Sequence, residues 1–584
     1  MPRSPEALTA PLALPESWAD RLILAYVAGI LVLWSPGLNL GLLTPRLALF
    51  LIGLGPGLVV LGSLVRRRDV GASWLGAFVV WALVATVLSP SPRLALLGTY
   101  GSDVGWIYLA GYASAWALGR RLGADGTRLL PAVLLGGLGV NVLFAILQAV
   151  FEPTGALEMV DGRVFGLMSN TLFLAGSLAG ALALIGYLAG ASARRGLAIT
   201  ALAVPFTAAI NLTGSRAALA GGVVLALVAA VVGRRTRPAE VSDLVRTVLL
   251  VAAAVAVGFC ASIPLQNEAS GASRIGDVSS SSGYGSRLTM WEAGLAATGE
   301  RPIAGWGPGR FREATSTRVT QEFAAAETPD RLFYDAHNVA VEQLVTTGVI
   351  GLVLFGGFVV AVFRRARGPL VWFAGGVALT WLLNPTSVCT APVVLLALGA
   401  AWTQQPARTA APSARRVAAA RGVGAGLALA GAVVGGTLIW TDVLIERGSV
   451  DADVAVLEDA ARLRPGDPVL QGLVADALFK RALDSRTDAA RRAAVAAADE
   501  TVRLEPSRST WWLRRGTARG AFGPGTQDER VQAAKADYER ALELNPWSLS
   551  ALVALRDVAM YEEDRAAFDR WSERICRISD CSPP

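Results

Sequence analysis

The stretch YDAHNVAVEQLVTTGVIGLVLFGGFVVAVFRR, Tyr334 to Arg365, carries the reading of the whole chain. It opens on the polar run Tyr334-Asp335-Ala336-His337-Asn338, continues into an apolar segment and closes on Arg364-Arg365. At about 1.5 Å per helical residue the apolar part is long enough to cross a hydrocarbon core of about 30 Å. The arginine doublet marks the cytoplasmic end by the positive-inside rule, so the histidine end lies at the opposite surface. His337 is the only histidine among 584 residues. Ionisable groups beside membrane spans are rare and often functional. That makes His337 a candidate catalytic residue; the structural alternative is a histidine making one loop or cap hydrogen bond.

The surrounding composition agrees. Hydrophobic residues make up 53% of the chain and charged residues 17%, against about a quarter charged in soluble proteins. Spans read at roughly 21–41, 46–65, 70–89, 104–119, 129–150, 169–191, 197–213, 216–233, 247–264, 338–363, 369–384, 386–402 and 422–441. The expected fold is all-α, a polytopic bundle of twelve to thirteen spans covering residues 21–441. Alternate loops hold Arg66-Arg67-Arg68, Arg120-Arg121, Arg194-Arg195, Arg234-Arg235, Arg364-Arg365 and Arg415-Arg416, whereas the others hold mostly single arginines, at Arg46, Arg93, Arg163 and Arg216. The doublets belong on the cytoplasmic side of the membrane. Residues 1–20 then form a cytoplasmic tail, and the polar loop 265–337 faces outward. An odd span count places the C-terminal region outside too. The joint Asn384-Pro385-Thr386 is the weak point: a re-entrant 369–402 unit would put that region inside. The net charge of +7 is topological and implies no nucleic-acid partner.

From 446 to 578 the chain turns to Ala, Arg, Glu and Leu at helical spacing. Ala461-Arg462-Leu463-Arg464-Pro465, Val502-Arg503-Leu504-Glu505-Pro506 and Leu542-Glu543-Leu544-Asn545-Pro546 recur at intervals of 41 and 40 residues. This pattern resembles tetratricopeptide repeats, a helical solenoid with a concave face. It implies either a docking platform for an acceptor or protein partner, or a brace. Cys576 and Cys581 are a possible disulfide if this end lies outside the cytoplasm. Their spacing and the absence of a nearby His argue against zinc.

Chemistry concentrates at three outward places. Asn211-Leu212-Thr213-Gly214-Ser215-Arg216 is a short turn that holds Arg216 at the outer surface, where a guanidinium is paired, hydrated or reserved for an anion. Ser286-Arg287-Leu288-Thr289-Met290-Trp291 starts an amphipathic helix with Arg287 in its first turn. Arg301 to Phe311 is Gly- and aromatic-rich and is not a phosphate-loop fingerprint. In Asp335-Ala336-His337-Asn338, Asp335 is close enough in sequence to orient the imidazole, and Asn338 is a helix cap for the span that follows.

The order of a Thr-Gly-Ser-Arg turn, a large loop opening Ser-Arg-x-x-x-Trp, a Pro-x-x-Gly-x-Gly-x-Gly-x-Phe segment and Ala-His-Asn before Gly-x-x-Gly resembles the O-antigen ligase and polymerase superfamily. Pro90-Ser91-Pro92 and Gly98 to Gly105 extend the likeness over roughly 85–400. These are bacterial membrane glycosyltransferases of cell-envelope polysaccharide and lipopolysaccharide biosynthesis, and they act on undecaprenyl-diphosphate-linked glycans. The resemblance implies that His337 is catalytic and that Arg216 and Arg287 hold the diphosphate. Asp335, Asn338, Ser215 and Trp291 are the supporting residues. The partners implied are a lipid-linked glycan donor, a glycan, lipid or protein acceptor, and membrane lipids.

The expected reaction is inverting transfer to an acceptor hydroxyl without metal or other cofactor. Alternatives are a polymerase or a protein O-oligosaccharyltransferase of the same superfamily, a lipid-linked sugar transporter, and a non-enzymatic docking protein. The absence of acids from mid-span positions disfavours ion-coupled transport.

Overall fold

The computed structural model describes residues 14–102, 104–159, 162–192, 196–236, 241–266, 282–327, 330, 332, 334–403, 414–450 and 453–579. Among them there is no strand. The chain begins α1 (Trp18–Val32), α2 (Thr44–Arg66), α3 (Val70–Val87), α4 (Pro92–Leu97), α5 (Trp106–Arg121) and α6 (Ala124–Phe151). It continues α7 (Thr171–Ala191), α8 (Gly196–Ala201), α9 (Ala203–Leu212), α10 (Arg216–Arg234) and α11 (Val241–Ser262). The polar loop carries α12 (Ser282–Glu300), α13 (Phe311–Thr315) and α14 (Gln321–Ala326). The membrane part ends with α15 (Val339–Arg365), α16 (Pro369–Thr380), α17 (Ala391–Ala400) and α18 (Ala414–Val450). Seven helices follow: α19 (Val454–Leu463), α20 (Pro468–Ser485), α21 (Asp488–Leu504), α22 (Ser509–Phe522), α23 (Gln527–Leu544), α24 (Leu549–Tyr561) and α25 (Arg565–Cys576).

Eight of these helices are long and apolar enough to cross a membrane: α2, α3, α6, α7, α10, α11, α15 and α18. The other five expected spans coincide with the shorter α1, α5, α8–α9, α16 and α17. The first differs most from its expected extent of 21–41. Helix α1 stops at Val32, and residues 36–43 are turns. Pro36 lacks an N–H and pushes Ser35 out of the helical region.

The hairpin α16–α17 runs back to the start of α15 and returns to its end. At one end Arg367 N donates to Ala401 O at 3.0 Å and Thr403 N to Arg365 O at 3.2 Å. At the other, Val339 N donates to Trp381 O at 2.9 Å. The joint beyond Trp381 also meets Arg46, whose Nη1 lies 3.6 Å from Cys389 Sγ. Short helices suffice because the unwound joint is buried in protein, where irregular backbone is tolerated. One face therefore gathers Asp69, Arg120, Arg365 and Trp402, with Arg120 Nη2 3.0 Å from Asp69 Oδ2. The opposite face gathers the 35–43 turn, the polar loop, the hairpin joint and the helices after α18.

Helix α15 is broken at Gly348, where φ is 69° and ψ is −175°. Four of the groups around the break find partners elsewhere. Trp306 N donates to Val345 O and Gly307 N to Thr346 O, each at 2.9 Å, while Val349 N donates to Pro302 O at 2.9 Å. Trp81 Nε1 donates to Thr347 O at 2.8 Å. The glycine-rich 302–309 segment is thus stitched into the break, which fixes the polar loop on the membrane helix. A Cβ at Gly348 would overlap the carbonyl of Ile303. Gly348→Ala should destabilise the protein by about 1–3 kcal/mol from backbone strain alone. An unchanged thermal midpoint in detergent would refute this.

The seven C-terminal helices pack successively, each on the next. The three recurring phrases become equivalent turns. Arg464, Glu505 and Asn545 occupy C-cap positions, and Asp467, Arg508 and Ser548 are the N-caps three residues later. All three turns abut the membrane domain. Tyr100 N donates to Asp467 Oδ2 at 2.7 Å. Arg312 Nη2 donates to Glu505 Oε1 at 2.9 Å. Ser548 and Ser550 hydroxyls donate to Asp330. Continuous helix α18, about 55 Å long at 1.5 Å per residue, carries the chain from the membrane part into this region. Cys576 ends α25; Cys581 lies outside the described residues, as do Arg194 and Arg195.

Candidate active site

His337 sits in the left-handed backbone region, with φ of 50°. A non-glycine residue pays for that conformation unless its surroundings impose it. Here they do. Its own N–H donates to Asp335 Oδ1 at 2.7 Å, closing a tight Asx turn. The preceding carbonyl, Ala336 O, accepts from Trp291 Nε1 at 2.7 Å, and Ala336 N donates to Glu342 Oε2 at 2.9 Å. Asn338 caps α15, its Oδ1 accepting from Ala340 N and Val341 N, while its Nδ2 donates to Leu382 O at 3.1 Å. The histidine is pinned between α12, α15 and the α16–α17 joint.

The imidazole faces the same carboxylate. His337 Nδ1 lies 3.0 Å from Asp335 Oδ1, and both side chains are about one-fifth exposed. A carboxylate at Nδ1 favours a proton on that nitrogen and leaves the lone pair on Nε2. This arrangement suits a general base, because the ring is held in one orientation.

Trp291 projects from α12, and Arg287 stands one turn earlier on the same helix. Residues four apart share a helix face, so Arg287 is on the face of α12 that presents Trp291 to the histidine segment. The helix starts at Ser282, ahead of the expected Ser286, so Arg287 is not in its first turn. Arg216 opens α10 after the turn at Gly214, whose φ is 70°. Ser215 occupies the N-cap position without a side-chain cap hydrogen bond. Arg163 Nε donates to Thr213 O at 2.7 Å and ties that turn to the α6–α7 connection. Helix α10 runs beside α16, where a Cβ on Gly221 would meet Leu379 at 3.7 Å. Leu379 is two residues from Trp381, the acceptor for Val339 N. Arg216 thus lies toward the end that carries His337, whereas Trp291, Asp335, His337 and Asn338 form one cluster, with Arg287 one helical turn from Trp291.

Sequence reasoning missed a second cluster behind the first. Arg312 lies over the Tyr334 ring at 4.9 Å. Its guanidinium also meets Glu505, as does that of Arg310 at 3.3 Å. Arg310 pairs in addition with Glu313, and Trp511 Nε1 donates to Glu505 Oε2 at 2.9 Å. Burial pushes the Glu505 carboxyl up, but Arg312, Arg310 and Arg508 outweigh it and hold the group below the ordinary carboxylate range. Burial lowers Arg312 from its ordinary value despite the pull of Glu505, which leaves so strong a base charged near neutrality. No local signal marks Glu505 as buried, since it lies on an amphipathic helix end like many surface acids. Among the described residues no three His, Cys, Asp or Glu side chains gather as a metal-binding group.

Every residue of the histidine cluster, and Arg216, falls within one region of known relationship. Residues 198–356 match the family model described as O-antigen ligase. The match supports the O-antigen ligase superfamily and a glycosyltransferase-type activity of its ligase and polymerase kind. With the apolar helices it also supports a multi-pass protein of a bacterial inner membrane. No curated protein and no solved structure gave a match.

Proposed function

We propose that this chain transfers a glycan from a polyprenyl-diphosphate carrier to an acceptor hydroxyl at the extracytoplasmic surface, in the manner of an O-antigen ligase. The observation that carries the reading is the Asp335–His337 pair, constrained in a left-handed turn at the mouth of α15 within the matched region. Arg120 and Arg365, each from an arginine doublet and both on the opposite face, support the sidedness.

In this mechanism the acceptor oxygen attacks the anomeric carbon while its proton passes to His337 Nε2. The bond between that carbon and the diphosphate oxygen breaks, and the polyprenyl diphosphate departs. Arg216 and Arg287 neutralise the charge that develops on the leaving group, a role suited to the bidentate guanidinium fork. Direct displacement inverts the anomeric centre. The residues assigned here need no metal, so chelator should leave transfer by the purified protein intact. Loss of transfer with EDTA and its recovery with a divalent cation would refute that part.

The repeat helices seated on the polar loop favour transfer to a bulky acceptor over chain extension. A glycan gel of a deletion strain, with and without the wild-type gene, tests the assignment. Full-length chains stranded on the lipid carrier in the deletion strain are the expected result. Single repeat units would show a polymerase instead, and an unchanged glycan profile would remove the proposal.

A further inference from the structure

A cavity of about 330 Å³ lies between the membrane helices and the first repeat turn. One wall is apolar, made by Leu47 and Leu51 of α2, Ile107 of α5, and Val434 and Leu438 of α18. Leu97 and Val434, also lining it, are 44% and 49% exposed, so the cavity is open on its apolar side. Two guanidinium groups form its rim. Arg464 belongs to the turn after α19 and pairs with Asp467 at 3.0 Å. That carboxylate is already engaged by the N–H groups of Tyr100, Val469 and Leu470. Arg93, at the start of α4, makes no hydrogen bond or ion pair among the described residues. Its guanidinium rests against Gly466, where a Cβ would overlap it. The rim thus carries two cations and one carboxylate whose acceptor sites are filled from within the protein.

We propose that this cavity is a binding site for an anionic phospholipid, its phosphate on Arg93 and Arg464 and an acyl chain along α2, α5 and α18. An apolar trough under a cationic rim at the end of spanning helices matches the two halves of such a lipid. The arginine forks suit phosphate oxygens. Neither Arg216, Arg287 nor His337 lines the cavity, so this site is separate from the one assigned to the glycan donor. Half of the rim comes from the membrane domain and half from the repeat region. A bound lipid therefore bridges the two and strengthens the seating of the first repeat.

The test uses the full-length protein in nanodiscs of phosphatidylcholine doped with phosphatidylglycerol, with retained lipid read by native mass spectrometry after mild delipidation. Wild type should keep one phosphatidylglycerol in preference to phosphatidylcholine. Arg93→Ala should cut that retention at least tenfold, and Arg93→Lys should recover part of it. Arg93 makes no hydrogen bond or ion pair among the described residues, so its removal should leave folding intact; a matched thermal midpoint checks this. Leu97→Trp should block retention by filling the trough without changing charge. Equal retention of the two lipids by wild type, or no effect of Arg93→Ala, would overturn the proposal. So would displacement of phosphatidylglycerol by equimolar polyprenyl phosphate, which would assign the cavity to the carrier lipid.

Discussion

His337→Asn should lower glycan transfer by about 10²–10⁴-fold, the usual contribution of a positioned acid–base group, while leaving the thermal midpoint nearly unchanged. Asparagine is the informative replacement because of the backbone. His337 has φ of 50°, and Asn visits that region far more readily than Ala. The N–H donated to Asp335, the Trp291 bond to Ala336 O and the Asn338 cap are backbone or neighbouring contacts, and all survive the change. Only the imidazole is lost. His337→Ala would mix that loss with about 1–2 kcal/mol of left-handed strain. Single-turnover transfer from a purified lipid-linked glycan, read beside thermal unfolding, separates the two effects. Near-wild-type transfer by the Asn variant would make the histidine a turn residue and nothing more.

Glu505→Ala should cost about 3–5 kcal/mol, the range for breaking a buried ion pair on one side. Its side chain is fully buried, facing Arg310, Arg312 and Arg508. Removing it leaves three guanidinium groups around an empty volume, with Glu313 the remaining carboxylate of the cluster. The consequence reaches the site. Arg312 also stacks over Tyr334, three residues before His337, so loss of Glu505 frees the segment that carries the histidine. Hydrogen exchange should rise at 310–318 and 334–337, and transfer should fall although no residue of the histidine cluster has changed. Unaltered exchange in both segments would contradict this coupling. The pH dependence follows from the sign of the shift. A carboxyl held below its ordinary range stabilises the folded state at and above that range. Its contribution fades only as pH falls through the lowered native value. Seating of the repeat helices should therefore persist through mildly acid conditions.

Much of the architecture is legible without coordinates because membrane helices are written in composition. Runs such as Thr171 to Ala191 have no soluble alternative, and each of the thirteen expected spans has a helical counterpart. The extents were harder. Helices α16 and α17 are short because their joint is buried against Arg46 and Ser169, a contact between segments hundreds of residues apart. The motif around Gly305, Gly307 and Gly309 reads from its sequence as a Gly- and aromatic-rich segment with no assigned place, and its visible work is to plug the break at Gly348. Three recurring Pro turns are plain in the chain, but their common contact with the membrane part is not.

Hydropathy and charge are local properties, summed over a few turns of helix, so the primary structure alone settled the all-helical membrane character, the two-sided arginine pattern and the singular histidine. Which polar groups meet is a matter of long-range packing. Asp335 behind the imidazole is a short-range pair that adjacency could suggest. Trp291 on Ala336 and Glu505 under Arg312 join residues 45 and 193 positions apart. Only the folded chain decided those contacts, because a buried charge or indole N–H must find a partner wherever the tertiary structure supplies one.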